Sequence, residues 1–150
     1  MRKRKRRVPE VGLFPMCADI LHAGHILALK EARKHCQRLI VALNTHPEGK
    51  QPVQTVFERY TQLCAVGVVD EVIPYQGRED LERMAACLDY QIRFLGDDYK
   101  GRTWDGDVQE MRRGIKHYFI GRGHNFSSTE LKERVVKAKI SAQEAPHDRA

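Results

Sequence analysis

Apolar residues along this chain come in two alternating rhythms. Short runs rich in apolar residues occupy 11–17, 39–43, 68–73, 92–95 and 116–120. Runs of this length and character read as buried strands. Pro15 weakens the end of the first, and Pro74 closes the third. Between them the spacing becomes helical. Residues 25–36 place Ile26, Leu27, Leu29 and Ala32 on one face, with basic residues near the close. Thr55 with Glu58 three residues on forms a capping box for a helix that would bury Val56, Tyr60, Leu63 and Cys64. Residues 80–88 predict a further helix. Ser127 or Ser128 caps a last one that runs to about Ile140. Residues 44–54 contain Pro47, Gly49 and Pro52 and read as a loop.

Alternation of strand and helix predicts an α/β fold: a single Rossmann-like, doubly wound, parallel five-stranded sheet with helices on both faces. The expected division is a disordered basic tail at 1–8, one domain at 9–140 and a flexible tail at 141–150. In such sheets a ligand lies beyond the carboxyl ends of the strands, at the point where strand order reverses. Three turns follow strands there, at 22–25, 96–98 and 127–129.

Charge sharpens this picture. The chain has 150 residues and a formal net charge of +6, from 26 basic and 20 acidic residues. Arg2, Lys3, Arg4, Lys5, Arg6 and Arg7 carry the whole excess, so the body is neutral. Nucleic acid is therefore expected only as a non-specific partner of the tail. No apolar run approaches the length of a membrane span, and none follows the basic start as in a secretory signal. Cys17, Cys36, Cys64 and Cys87 form no C-x-x-C pair and read as reduced, mostly buried thiols of a cytoplasmic protein. No G-x-G-x-x-G follows the first strand, which argues against a nicotinamide dehydrogenase.

The candidate chemistry begins at Asp19-Ile20-Leu21-His22-Ala23-Gly24-His25, where the first strand gives way to the first helix. A helix start offers unpaired N–H groups and partial positive charge to phosphate. Gly24 permits close backbone approach, and the imidazoles can donate to phosphate oxygens that gain charge during displacement. Arg122 with Ser127, Ser128 and Thr129 supplies a second anion site at the last helix start. Asp97 and Asp98 end the fourth strand, where carboxylates suit Mg²⁺, ribose or substrate hydroxyls.

These residues, in this order, resemble the small cytidylyltransferases that act on glycerol phosphate and similar phosphates, within the wider His-x-Gly-His nucleotidyltransferases. The resemblance covers about residues 11–137. It rests on Asp19 to His25, on Glu58-Arg59, on Leu95-Gly96-Asp97-Asp98-Tyr99-Lys100-Gly101, and on Arg122 followed by Ser127-Ser128-Thr129. It implies transfer of CMP from CTP to a small phosphorylated alcohol, amine or related acid, releasing pyrophosphate by in-line displacement with no covalent enzyme intermediate. The catalytic set it implies is His22, His25, Lys50 and Arg122. The nucleotide-binding set is Cys17, Ala18, Asp19, Gly24, Arg59, Gly96, Asp97, Asp98, Ser127, Ser128 and Thr129. It implies Mg²⁺ held mainly through the triphosphate rather than by protein ligands, and a homodimer. Two stretches depart from the family. Met16-Cys17-Ala18 stands where it has Gly-Thr-Phe, and Gly123-His124-Asn125-Phe126 where it has Thr-Glu-Gly-Ile. Both touch nucleotide or substrate contacts, so an adenylyltransferase of the same fold acting on a cofactor precursor, or an inactive nucleotide-binding protein, stands as the alternative.

Overall fold

The computed structural model describes residues 11–121, 123 and 126–144. Five strands alternate with helices: β1 (Val11–Met16), α1 (Ala23–Arg33), β2 (Arg38–Asn44), α2 (Val56–Cys64), β3 (Glu71–Tyr75), α3 (Gly77–Cys87), β4 (Ile92–Gly96), α4 (Asp107–Arg112), β5 (Lys116–Ile120) and α5 (Ser128–Glu144). A single 3₁₀ turn over Asp97–Tyr99 follows β4. The sheet runs β3-β2-β1-β4-β5 with every pairing parallel. The chain thus winds outward from β1 to one edge, returns to β4 beside β1, and winds to the other edge. The junction of β1 and β4 is the switch point, and the fold is the Rossmann-like one expected.

Both faces of the sheet are covered, which is why its strands read as apolar runs. Alternation of side chains divides the core in two. Phe14, Leu39, Val41, Leu43, Ile92 and Phe94 pack with Leu29 and Ala32 of α1 and Leu63 of α2. Leu13, Ile40 and Ala42 face the other way, with Tyr75, Tyr90 and Leu81 of α3. Gly12 sits in the central strand because a β-carbon there would collide with the Phe94 ring and lie 3.0 Å from Cys36 Sγ.

Several expectations are corrected. β3 begins at Glu71 rather than residue 68 and continues through Pro74 to Tyr75. As an edge strand it needs only one ladder, so Pro74 fits. Pro15 is likewise tolerated in β1, beyond the last pairing with β4 at Leu13. Tyr60 and Cys64 stay exposed, because α2 turns Arg59 and Leu63 inward instead. Only Cys36 of the four thiols is buried. Cys17 is half-buried, and Cys64 and Cys87 are exposed. α4 was not expected at all, and α5 continues to Glu144.

Candidate nucleotide site

The turn between β1 and α1 is wound tightly. Ala18 and Ile20 both adopt left-handed backbone, with φ of 53° and 49°. That region is costly for any residue with a β-carbon and most of all for a β-branched one. Such strain persists only where the surroundings over-determine it, and it concentrates at functional sites. The surroundings here are explicit. The buried Asp19 carboxylate accepts from the amides of Val53 and Gln54 at 3.0 Å each and from Lys132 Nζ at 2.7 Å. Gln54 reciprocates by accepting from the Ile20 amide at 2.7 Å. Burial alone would push the Asp19 carboxyl up, but the Gln54 amide, Lys132 and the Val53 amide together hold it below the usual carboxylate range. Ser128 Oγ donates to the Asp19 carbonyl at 2.8 Å. One residue therefore ties together the first turn, the loop before α2 and the start of α5.

The two histidines lie at the start of α1. His22 is its N-cap, and its Nδ1 accepts from the Gly24 amide at 3.0 Å. The His22 amide in turn donates to His25 Nδ1 at 3.4 Å. The rings lie 4.1 Å apart between centroids. This is a capping box made of imidazoles. Its chemical consequence is the tautomer. A backbone N–H can only donate, so each Nδ1 must be the unprotonated acceptor, and in the neutral ring each Nε2 carries the proton. Both side chains thus present an N–H donor.

The other candidates take distinct places. Arg59 is buried, and its guanidinium donates to the carbonyls of Cys17, Asn44 and Thr45 at 2.7–2.9 Å, with Cys17 Sγ at 3.5 Å. It fastens the carboxyl ends of β1 and β2 and shapes the site through their backbone. Lys50 is exposed on the loop whose far end, Val53 and Gln54, grips Asp19. Gly96 ends β4 opposite Ile120. Asp97 is half-buried, and Asp98 is exposed in the 3₁₀ turn that follows. Ser127 caps α5, its Oγ accepting from the Glu130 amide at 3.1 Å, and Thr129 is exposed beside it. Arg122 lies outside the described residues. Among the described residues no three His, Cys, Asp or Glu side chains cluster as a metal site.

The structure thus joins the first histidine turn to the last helix start through Asp19 and Ser128, and brings the β4 turn to the neighbouring strand end. Gln54 and Lys132, which complete the clasp on Asp19, were not singled out from the sequence. Nor was Glu110, a fully buried carboxylate at the base of the loop after β4.

Comparison with known proteins agrees with this geometry. The family model described as cytidylyltransferase-like matches residues 13–134. The bifunctional protein HldE of Vibrio cholerae serotype O1 is 30% identical over 141 residues, covering 90% of this chain and 29% of that protein. HldE of Proteus mirabilis is 40% identical over 127 residues, covering 81% and 27%. The chain therefore spans less than a third of the length of these relatives. The crystal structure of the lipopolysaccharide core biosynthesis protein of Thermoplasma volcanium superposes with a TM-score of 0.60 at 25% identity, covering 79% of this chain and 99% of that one. With a parallel sheet wound about a β1–β4 switch point and a family match over most of its length, the chain belongs to the cytidylyltransferase-like family.

Proposed function

We propose that this protein is a nucleotidyltransferase that moves CMP from CTP onto a small phosphorylated acceptor of the glycerol 3-phosphate type. The observation that carries the reading is the pair of imidazoles whose Nδ1 atoms accept backbone amides, beside a second helix start docked through Ser128. An acceptor phosphate oxygen attacks the α-phosphorus. A new P–O bond forms there as the bond to the bridging oxygen of the β-phosphate breaks, and pyrophosphate leaves. His22 and His25 donate from Nε2 to the oxygens on which charge grows, and Lys50, on the loop before α2, reaches the α-phosphate. The start of α5, with Ser127, Ser128 and Thr129 and with Arg122 ahead of it, receives the β- and γ-phosphates. Mg²⁺, held mainly by phosphate and water oxygens, would neutralise charge on the triphosphate, and Asp97 and Asp98 are oxygen donors of the kind it takes.

CTP is favoured over ATP by the Gly96-Asp97-Asp98 stretch. The structural relative, a lipopolysaccharide core biosynthesis protein, adds sugar phosphates to the acceptors worth testing. The test is pyrophosphate release from CTP or ATP with Mg²⁺ and a panel containing glycerol 3-phosphate, ethanolamine phosphate, hexose 1-phosphates and phosphopantetheine. The expected result is release from CTP with one acceptor class. Release from ATP alone would replace the donor in this reading, and a folded sample silent with every pair would overturn it.

A further inference from the structure

The loop between β4 and α4 is anchored to a buried carboxylate. Glu110, with no solvent exposure, receives four donors from four separate parts of the chain. Its Oε1 accepts from Tyr90 hydroxyl at 2.5 Å and Arg93 Nη1 at 2.8 Å. Its Oε2 accepts from Trp104 Nε1 at 2.9 Å and meets His117 Nε2 at 3.1 Å. Trp104 is the member that belongs to the loop, and its ring also stands edge-on to His117 and Phe119 of β5. Next to it Gly106, at φ +90°, lets α4 begin against α3, because a β-carbon there would lie 2.6 Å from Ala85. Asp105 reaches Arg78 at the start of α3 at 3.5 Å. The loop is therefore fixed at its β4 end by the pairing of Gly96 with Ile120 and at its α4 end by Trp104.

Between those two points the backbone closes two successive turns, Lys100 N–H to Asp97 carbonyl at 3.1 Å and Arg102 N–H to Tyr99 carbonyl at 3.0 Å. Lys100 and Arg102 are exposed, and neither has an ion pair among the described residues. Six residues thus display two carboxylates, Asp97 and Asp98, then two cations, at the strand end across the switch point from the histidine turn. A phosphorylated polyol needs that combination: carboxylates accept from its hydroxyls, and cations bind its phosphate. The triphosphate is served from the β1 flank by α1 and α5, so a loop rising from β4 faces the group that arrives from the other side.

We propose that residues 99–104 form the acceptor-reading loop, in which Lys100 and Arg102 hold the acceptor's phosphate and Trp104, hung on buried Glu110, is the positioning residue that sets where they stand. This rests on the transfer reaction argued above, and the experiment separates the two. With the acceptor that supports turnover, the Lys100→Ala/Arg102→Ala double variant should raise the acceptor KM by about tenfold or more, the loss expected for hydrogen bonds to a charged group. The CTP KM should hold. Trp104→Phe keeps the aromatic packing but loses the donor to Glu110, and should raise the acceptor KM by a smaller factor with kcat little changed. In parallel, inorganic phosphate is titrated into ¹⁵N-labelled protein. The amides of residues 99–104 should shift in the wild type and much less in the double variant. If no nucleotide and acceptor pair turns over, the transfer reading fails and the phosphate titration alone decides the loop. The loop proposal is overturned if the double variant keeps its acceptor KM, if the CTP KM rises in its place, or if phosphate leaves residues 99–104 unmoved.

Discussion

The turns that follow β1 and β4 leave the same end of two neighbouring parallel strands but are built in opposite ways. The first is short, strained at Ala18 and Ile20, and held by hydrogen bonds that reach it from the loop before α2 and from α5. The second is long, unstrained at every residue but its glycines, and tied by an indole to a carboxylate deep in the molecule and by Asp105 to Arg78. Reacting groups need placement to a fraction of an ångström, and several converging bonds supply that. A loop that must recognise one small molecule among several can vary in sequence while a single buried anchor keeps its course. On the function proposed above, the difference between the two turns is a division between chemistry and recognition, and it can be broken from either side.

The largest effect is expected at the anchor. Glu110→Ala leaves the Arg93 guanidinium buried without its carboxylate. Removing one partner of a buried ion pair costs about 3–5 kcal/mol, whereas replacing both with apolar groups is often nearly neutral. Arg93 is only 3% exposed, so this case applies in full. Denaturant unfolding of Glu110→Ala, Arg93→Met and Glu110→Leu/Arg93→Met should show two poor single variants and a double variant that regains only the share due to the ion pair, since Tyr90 and Trp104 still lack their acceptor. A double variant as unstable as the sum of the singles would show that the hub is not one coupled unit.

The histidine turn should respond in the other direction, losing rate and keeping stability. His25→Ala removes one donor from the site while Gly24 still caps onto His22. Removing a single preorganised donor to a charged transition state costs on the order of 10²–10³ in kcat. Pyrophosphate release should fall by that factor with a melting temperature within a few degrees of wild type. A large fall in stability with proportionate loss of rate would make the imidazoles a cap and nothing more.

How far each region could be read from the sequence follows the same division. The strands, the first two helices and the histidine turn are written in apolar runs, spacing and cap residues, which are local signals. Arg59 and Glu110 are the opposite. Each is a charged residue turned fully inward, and a pattern of apolar positions cannot announce a buried ion. That is why the spacing of α2 predicts Tyr60 and Cys64, both exposed, as inward along with Val56 and Leu63, and why α4 gives no apolar signal. α4 is six residues long, and its buried residue is a carboxylate. The clasp on Asp19 was half legible. Asp19 itself stood in the motif, but Gln54 and Lys132 meet it across 35 and 113 residues, and only the fold brings them together.

The smallest effect concerns what steadies the histidine turn from behind. Glu31, two turns along α1, accepts from Lys34 Nζ at 2.8 Å, meets His35 Nε2 at 3.2 Å and accepts from the Tyr118 hydroxyl of β5 at 3.1 Å. Lys34, then His35 and Tyr118, hold its carboxyl at about 2 against an ordinary 4.5. A carboxyl depressed in the folded state adds stability above its unfolded value and loses it as pH falls through the folded one. The contribution is therefore whole at neutral pH, declines below 4.5 and is gone near 2. Because these groups are largely exposed, water and salt weaken the pairing, and the total is modest. Glu31→Gln should unfold at slightly lower denaturant than wild type at pH 7, and the two should converge as pH falls from 4.5 toward 2. Hydrogen exchange should locate the change in α1 and leave α4 untouched. Loss of protection in α4 to the same degree would mean that the two turns share one cooperative unit, and the contrast between them would be one of shape alone.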